Sequence, residues 1–461
     1  MVAQDVLLGR LRIGFRSAEI TLAEGGAVPR AVLTVLLVLV LLFESSTPDP
    51  LVAIGTYLYR GLGSWTSIPV LVTPLEILLI VGVVLSLMFS ALGAPTPARP
   101  LRWPMVAFGA ALAFGFLRGL LAEGDMYIGL WEVRYLLYVP ASFVIVRAAI
   151  RRPEHVAWLL WSGLLAVSAF AVEGAYRAIV LIREGALEGA PEFYYEHEGV
   201  IFLASFIALV ACSLYFRVQT RLRTFGLLAG PVLAFTLLAS NRRAGIIVLL
   251  VALLAVALIV FTMRRKAFFA SVVPVMILGV FYVGLFWNAS GVMGQPARAI
   301  RSLYEPDPRD ASSNLYRLLE TYNIDFTIHQ DPVLGVGFGR EFIMVATLAD
   351  LSWWPFWRFE THNNVLWMWL KTGAVGYAIF WFLMGSAISR AAYAARRLVD
   401  PALRTAGLFC LLSVVGVIVF AWVDLGLVSG RVTVFLGTVL GLVSVLPAVD
   451  GARPKRVEVR R

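Results

Sequence analysis

The sequence predicts an all-α polytopic membrane protein, and two observations carry that prediction. Of the 461 residues 60% are hydrophobic, and the mean hydropathy of the chain is +0.82. Apolar runs of about 20 residues, each long enough to cross a ~30 Å hydrocarbon core as a helix, recur along the chain. Because backbone groups in lipid must find their partners internally, each run is predicted to be an α-helix.

The runs predict about 12 transmembrane helices. They lie at residues 28–44, 68–91, 103–119, 131–150, 155–182, 198–216, 224–240, 244–263, 267–287, 363–389, 403–423 and 432–449. Lys and Arg cluster in alternate connecting segments, which places those segments and both termini in the cytoplasm. The net charge of +10 follows from this pattern, so it does not indicate a nucleic-acid partner.

Four segments follow along the chain. Residues 1–287 hold nine helices after a cytoplasmic lead-in, and residues 288–361 form one large extracytoplasmic loop. Residues 362–450 hold three further helices, and residues 451–461 form a basic cytoplasmic tail. The long loop is the only large segment predicted outside the membrane, so it is the natural place to look for chemistry.

An amphipathic helix is predicted within that loop. Its apolar residues recur at helical spacing: Leu315, Leu318, Leu319, Tyr322 and Phe326. Ser312 or Ser313 is predicted to cap its N-terminus, and Asp331-Pro332 to end it. Arg317 and Glu320 then lie on the polar side of the helix.

Several cations break the charge pattern, and these are candidate functional residues because a charge within the membrane is costly. Arg242-Arg243 lies at an outer boundary between two spans with almost no loop. Further cations lie in or at the ends of spans, toward the outer half: Arg134, Arg177, Lys371 and Arg431. Guanidinium groups bind phosphate through paired hydrogen bonds. The alternative is that the two arginine side chains extend to the lipid headgroups and bind them.

His362 lies at the mouth of the tenth span, in Thr361-His362-Asn363-Asn364. A histidine between water and lipid can exchange a proton near neutral pH, or its polar ring can simply be satisfied by neighbouring groups. The two cysteines lie inside apolar runs, and no His/Cys cluster appears, so no metal site is predicted.

Two further motifs have simpler structural explanations. Alternate glycines in Pro332–Gly339 are a weak nucleotide-binding pattern, since no strand precedes them, and a tight turn packed on the membrane domain is favoured. The aromatic stretch Trp353–Phe359 is typical of an interfacial belt, and stacking on a sugar is the alternative.

These motifs together resemble the O-antigen ligase and polymerase superfamily. The resemblance lies in Arg243-Ala244-Gly245 opening a span, in Arg317-Leu318-Leu319 and in the glycine-rich turn Pro332–Gly339. It ends with His362-Asn363-Asn364 and Lys371-Thr372-Gly373-Ala374-Val375-Gly376. The segment Tyr194–Gly199 lacks the Pro-Asn pair expected in many polymerases.

The resemblance implies a GT-C-like, metal-independent membrane glycosyltransferase without a cofactor. It would use a polyprenyl-diphosphate-linked glycan on the outer face of the bacterial inner membrane, with a glycan or lipid-linked acceptor. His362 would be the catalytic histidine, and Arg243 and Arg317 the diphosphate-binding arginines. Weaker candidates for substrate binding are Arg242, Arg134, Arg431, Asn363 and Arg340.

Alternatives remain both within and outside the enzyme class. A polymerase extends another chain and a ligase acts on a lipid-core sugar; the pair Arg242-Arg243 favours the polymerase. A transporter or lipid flippase would also have twelve spans, but it predicts charges along a path through both membrane halves. A scaffold of a glycan-assembly complex would have no activity.

Overall fold

The computed structural model describes residues 26–44, 54–64, 72–91, 100–183, 196–216, 218, 220–263, 265–289 and 291–451. In this part of the chain the regular structure is helical. The helices are α1 Ala27–Leu42, α2 Ile54–Tyr59, α3 Pro74–Ala91, α4 Arg102–Leu121, α5 Met126–Ala149, α6 Pro153–Arg183, α7 Gly199–Tyr215, α8 Thr220–Ala239, α9 Arg243–Met263, α10 Arg265–Ala267, α11 Val273–Leu285, α12 Gln295–Arg301, α13 Pro308–Gln330, α14 Asn364–Arg397, α15 Pro401–Val423 and α16 Gly430–Gly451.

The prediction of an all-α polytopic membrane protein is confirmed. Nine of the described helices are long and apolar enough to cross a membrane, and α1, α3 and α7 are shorter apolar helices at three more of the predicted spans. The predicted span 267–287 is divided into a π-helical turn, Phe268–Val272, and α11. Most of the predicted lead-in and basic tail lie outside the described residues.

The core of the bundle is built around α16, which packs against α5, α15 and α1. Every residue of α16 from Gly430 to Leu446 is buried. Small residues permit this close approach: a Cβ atom at Gly437 would lie 2.4 Å from the backbone oxygen of Val139 in α5. Without a strong hydrophobic drive between helices in lipid, such close packing supplies much of the association energy.

Ion pairs join helix ends at one end of the bundle. Arg177, near the end of α6, pairs with Glu44 after α1 at 3.1 Å, and Arg134 of α5 pairs with Glu76 at the start of α3 at 2.6 Å. All four residues belong to ends predicted to face outward. We call this end of the bundle the site end.

Helix α13 lies in the predicted outer loop, but it starts earlier than expected. Asp307, not Ser312 or Ser313, caps it, since its carboxylate accepts the backbone N–H of Asp310 at 2.8 Å. Ser312 lies inside the helix and donates to the backbone of Arg309. Pro308 at the first helical position has the backbone angle that a helix start needs. The predicted end before Asp331 is confirmed.

The side of α13 that faces the protein carries polar as well as apolar residues. Leu315, Leu318 and Tyr322 are all more than half exposed, whereas Glu320 and Asn323 are buried. The buried polar groups find partners there: Asn323 accepts the backbone N–H groups of the two residues at 345 and 346. The hydrogen bonds of this polar face therefore position the helix over the bundle.

The glycine-rich segment forms the tight turn that the sequence favours. Gly335, Gly337 and Gly339 all have positive φ, at 71°, 89° and 78°. A Cβ atom at Gly337 would lie 2.2 Å from the backbone nitrogen of Gly119, so only glycine fits against α4. The segment is a structural turn packed against the membrane domain, as the sequence favours over a nucleotide-binding loop.

A second glycine locks this turn onto α14. Gly373 interrupts the helix with φ 65°, and the backbone N–H of Ala374 donates to Pro332 at 2.9 Å. The backbone N–H of Val336 donates to Leu370 at 2.9 Å. These contacts fix the height and direction of the first turns of α14, which begins directly after His362.

Candidate functional site

His362 is held by one buried carboxylate through both its backbone and its ring. The backbone N–H of His362 donates to Glu320 Oε2 at 2.9 Å, and Nδ1 lies 3.2 Å from Glu320 Oε1. The side chain of Glu320 is 2% exposed, against 23% for that of His362. Since an ionised carboxylate only accepts, a neutral ring in this position carries its proton on Nδ1, and Nε2 is the ring nitrogen that does not face Glu320.

Aromatic neighbours hold the ring of His362 from the side. Tyr316 packs edge-on against it, with 5.6 Å between ring centroids. Tyr316 is fixed in turn by Trp357, whose indole N–H donates to its hydroxyl at 3.1 Å. Trp357 of the aromatic stretch thus supports the histidine, while Trp353 in the same stretch is 79% exposed.

Arg317 lies one helical turn before Glu320 on α13 and approaches Asp424, the residue that follows α15. The separation from Arg317 Nη2 to Asp424 Oδ2 is 4.0 Å, and the Arg317 side chain is 34% exposed. Burial disfavours the charge on Asp424, but the hydrogen bond with His197 and the positive charge of Arg317 hold the pKa of Asp424 well below its usual range. Asp424 is therefore an anion that helps to hold Arg317.

Arg243 begins α9 and also reaches α13. Its Nη2 donates to Asn314 Oδ1 at 3.2 Å and lies 3.3 Å from Asp310 Oδ1, while Nη1 contacts Ser302 at 3.4 Å. These contacts are long for a charged donor, which prefers about 2.7–2.9 Å to a carboxylate. Asp310 is shared with Arg298 at 3.7 Å.

One face of α13 thus connects the three predicted site residues. Asn314 contacts Arg243, Arg317 lies on the same face, and Glu320 binds His362. At 1.5 Å rise per residue, Asn314 and Glu320 are about 9 Å apart along the helix axis.

The structure places two other predicted cations in internal ion pairs. Arg134 binds Glu76 through two hydrogen bonds, at 2.7 and 2.6 Å, and stacks on Trp131 at 4.1 Å. Arg431 is 1% exposed and pairs with Glu196 at 2.9 Å. These short internal pairs favour structural roles for both, and their part in substrate binding stays a prediction.

The remaining weaker candidates are spread over the site end. Asn363 caps α14, since its side-chain oxygen accepts the backbone N–H of Leu366 at 3.1 Å. Arg340 donates to the backbone of Ala122 in the turn between α4 and α5. Arg242 is half-buried beside Arg243. Their predicted part in substrate binding stays a prediction.

Lys371 proves to be part of the scaffold beneath the site. Its ammonium is fully buried, lies 2.7 Å from Glu132 Oε1 and donates to the backbone oxygen of Arg340 at 2.6 Å. Glu132 also accepts the backbone N–H of Gly339. The pair therefore ties α5, α14 and the glycine-rich turn together.

Sequence reasoning missed three acidic or histidine residues of the site. Glu320 was identified only as part of a polar helix face, and the three-residue step from Arg317 was its one available signal. Asp424 follows a span, and His197 belongs to no sequence motif. His197 Nδ1 lies 3.1 Å from Asp424 Oδ2. No local motif links positions so far apart in the chain.

The described residues contain no group of three or more His, Cys, Asp or Glu side chains placed to hold a metal ion. This observation does not decide how the reaction proceeds, and metal independence stays a prediction. The site as described offers a histidine ring nitrogen and two guanidinium groups.

Comparison with known families confirms the predicted resemblance. Residues 228–381 match the family model described as O-antigen ligase. The matched stretch runs from α8 into α14 and contains Arg243, Arg317 and His362. No curated protein matches the chain. The match supports a membrane enzyme of surface-polysaccharide assembly, a role that involves lipid-linked glycans.

The buried pair Lys371–Glu132 gives a stability prediction. Lys371→Met should destabilise the protein by about 3–5 kcal/mol, because it leaves the Glu132 charge buried without its partner. The double variant Lys371→Met/Glu132→Gln should regain most of that loss, since an amide oxygen can still accept from Gly339. Thermal unfolding in one detergent measures both.

The matched control breaks a pair on the surface of the same region. Glu341 and Arg358 are 2.7 Å apart but about 40% exposed, so Glu341→Gln should cost roughly 0–1 kcal/mol. A Lys371→Met protein as stable as Glu341→Gln would contradict the structural role of the buried pair.

Proposed function

We propose that this chain, a member of the O-antigen ligase and polymerase superfamily, is a glycosyltransferase that uses a polyprenyl-diphosphate-linked donor. The transfer takes place on the outer face of the bacterial inner membrane, with both termini of the chain in the cytoplasm. The acceptor is a sugar hydroxyl. The observation that carries this function is that buried Glu320 contacts both the backbone N–H and the ring of His362.

These contacts with Glu320 support a general-base role for His362. Glu320 holds the ring and backbone together at 2.9–3.3 Å, which fixes the orientation of the imidazole as well as its tautomer. A sugar hydroxyl is a weak nucleophile, so a positioned base that removes its proton accelerates attack. A histidine satisfied only by neighbouring backbone groups needs no buried carboxylate partner.

Arg243 and Arg317 support the diphosphate end of the same reaction. Both are part-exposed, at 20% and 34%, and their contacts with carboxylates are 3.3 and 4.0 Å long. Such loosely held guanidinium groups can exchange these contacts for phosphate oxygens, which they bind in pairs. Fixed positive charge stabilises the negative charge that develops on a leaving diphosphate.

The reaction then balances without another reactant. The acceptor oxygen attacks C1 of the donor sugar, and a new C1–O bond forms. The bond from C1 to the diphosphate oxygen breaks, and its electron pair leaves with the polyprenyl diphosphate. The proton of the acceptor hydroxyl passes to His362 Nε2. Because the donor is preactivated, the reaction needs no nucleotide outside the cytoplasm.

Polymerase and ligase activities differ only in the acceptor of this transfer. We favour a polymerase, because adjacent Arg242-Arg243 resemble that branch of the superfamily. The ligase alternative is supported by the description of the matched family model. A polymerase yields a ladder of chain lengths, whereas a ligase yields one transfer to a lipid-core sugar.

A transporter is disfavoured by the distribution of charge. The interhelical ion pairs of Glu44, Glu76 and Glu132 lie at the site end. The face of α13 that contacts His362 through Glu320 lies there too. A transport path would line both halves of the bundle with polar groups.

The first prediction about catalysis concerns His362 and Arg243. His362→Gln should lower kcat by about 10²–10⁴-fold, the usual contribution of a general base. Arg243→Lys should lower kcat/KM by about tenfold or more, because an ammonium cannot make paired contacts with a diphosphate. Release of free polyprenyl diphosphate from a lipid-linked glycan, in proteoliposomes of purified protein, measures both rates.

The controls are chemically matched substitutions elsewhere on α13. His329 is 72% exposed at the end of the helix, and Arg309 is exposed near its start, so His329→Gln and Arg309→Lys should keep wild-type rates. Full activity of His362→Gln would refute the general-base role. If Arg243→Lys had wild-type kinetics, Arg243 would not bind the diphosphate through paired contacts, and a contact with lipid headgroups would explain its position.

The carboxylate behind the histidine gives a second prediction. Glu320→Gln keeps an acceptor but removes the charge, so kcat should fall by about 10–100-fold, the worth of a charged hydrogen bond, with KM little changed. In the His362→Gln background the same substitution should add almost nothing, because both residues act as one unit.

Glu305→Gln, in the exposed segment before α13, serves as the control and should be neutral. If Glu320→Gln lowers the rate as strongly in the His362→Gln background as in the wild type, then Glu320 does not act through the histidine.

A further inference from the structure

A row of aromatic side chains runs along the outer half of α5 and continues into the long loop. Tyr127, Trp131 and Tyr135 lie four residues apart, so they share one face of the helix. Their rings meet edge-on, with 6.2 Å between centroids in the first pair and 6.1 Å in the second. Phe356 of the loop extends the row, since its ring centroid lies 6.1 Å from that of Trp131. We call these four residues the aromatic wall.

The α5 part of the wall lies close to the segment that carries His362. A Cβ atom at Gly430 would lie 3.2 Å from Cδ1 of Tyr135, so the tyrosine ring packs on the turn between α15 and α16. The same turn is tied to the start of α14, because the backbone N–H of Leu427 donates to Asn364 Oδ1 at 2.6 Å. Asn364 follows His362 by two residues.

The loop part of the wall reaches the same histidine by another route. Phe356 directly precedes Trp357, which holds Tyr316 against the ring of His362. The two arginines proposed to bind the diphosphate lie on or against α13 instead. The aromatic wall therefore approaches His362 from α5 and the loop, and the diphosphate site approaches it from α13.

The wall carries hydrogen-bonding groups that the protein does not use. The hydroxyl of Tyr138, three residues beyond the wall, donates to Glu76 at 2.8 Å. In contrast, the hydroxyl of Tyr135 and the indole N–H of Trp131 have no hydrogen-bond partner among the described residues, and both keep accessible surface. Polar groups of this kind, set among aromatic rings, are typical of a ligand site.

An interfacial belt explains the wall less well than a binding surface does. Belt residues place their rings among the lipid headgroups. Tyr135 and Tyr138 instead pack against Gly430, at the start of the buried core helix α16. Trp131 is covered by the guanidinium group of Arg134, which lies 4.1 Å from its ring centroid. Most of the wall is thus built into the protein, next to the candidate site.

We propose that the aromatic wall binds the sugar rings of the acceptor glycan and so brings the acceptor hydroxyl to His362. The inference rests on the proposed function, because it assigns the acceptor of the same transfer. A sugar ring has an apolar face of C–H groups and an edge of hydroxyls. Trp and Tyr match both, since each combines an apolar ring with a polar group. The Tyr135 hydroxyl and the Trp131 N–H are then the partners for sugar hydroxyls.

The test measures binding of two soluble glycans to the purified protein in nanodiscs. One is the glycan released by mild acid from the lipid-linked donor, which represents the acceptor of a polymerase. The other is a core oligosaccharide freed of its lipid, which represents the acceptor of a ligase. Trp131→Leu should weaken binding of the recognised glycan about tenfold or more, because it removes a rigid aromatic contact from the centre of the wall.

Tyr135→Phe separates a ligand contact from a structural role. The ring is kept, and the lost hydroxyl has no partner among the described residues, so a purely structural tyrosine would tolerate the change. A tyrosine that binds sugar should instead lose about fivefold in glycan affinity, the worth of one neutral hydrogen bond. Both variants should keep wild-type affinity for undecaprenyl diphosphate, which shows that the diphosphate site is intact.

The matched control is Trp103→Leu at the opposite end of the bundle. Trp103 is 72% exposed beside Arg102, a tryptophan–arginine pair like that of Trp131, and its loss should leave glycan binding unchanged. Unchanged glycan affinity in Trp131→Leu or in Tyr135→Phe would overturn the inference. A wild-type protein that binds undecaprenyl diphosphate but neither glycan would overturn it too. A wild-type protein that binds a glycan but not undecaprenyl diphosphate would instead contradict the proposed function.

Discussion

A bundle that sits in lipid cannot hold an unpaired charge, and this constraint explains how the site end is built. Removing one partner of a buried pair leaves a charge that neither water nor lipid can stabilise. Lys371 accordingly meets Glu132, Arg134 meets Glu76, and Arg431 meets Glu196, at 2.6–2.9 Å. These pairs join helices that are distant in sequence, so they fix the packing of the membrane domain.

The same constraint separates scaffold cations from candidate substrate-binding cations. The scaffold pairs are short and the cations nearly buried, whereas Arg243 and Arg317 are part-exposed, with carboxylate contacts of 3.3 and 4.0 Å. A guanidinium group with only long contacts to carboxylates loses little interaction energy when it exchanges them for contacts with a phosphate. The polar face of α13 arranges these two arginines and His362 along one line, and the glycine-rich turn sets the start of α14 beneath them.

Hydropathy was enough to predict the membrane helices, because each span must bury its own backbone in lipid. The motifs around Arg243, Arg317 and His362 identified residues that the fold then brought together along α13. The partners of Lys371 and Arg431 could not be predicted, since a charge pair across more than 200 residues leaves no local pattern. The orientation of α13 was equally hidden: Leu315 and Leu318 face outward, and the hydrogen bonds that Glu320 and Asn323 accept hold these two polar residues inward.

The central claim, that Arg243 and Arg317 bind a diphosphate beside His362, is tested most directly by a cryo-EM structure in nanodiscs with undecaprenyl diphosphate. We predict density for the two phosphates between these arginines along α13, with His362 Nε2 facing the sugar end of the diphosphate. Phosphate density at Arg134 or Arg431 instead, with the α13 face empty, would contradict the account.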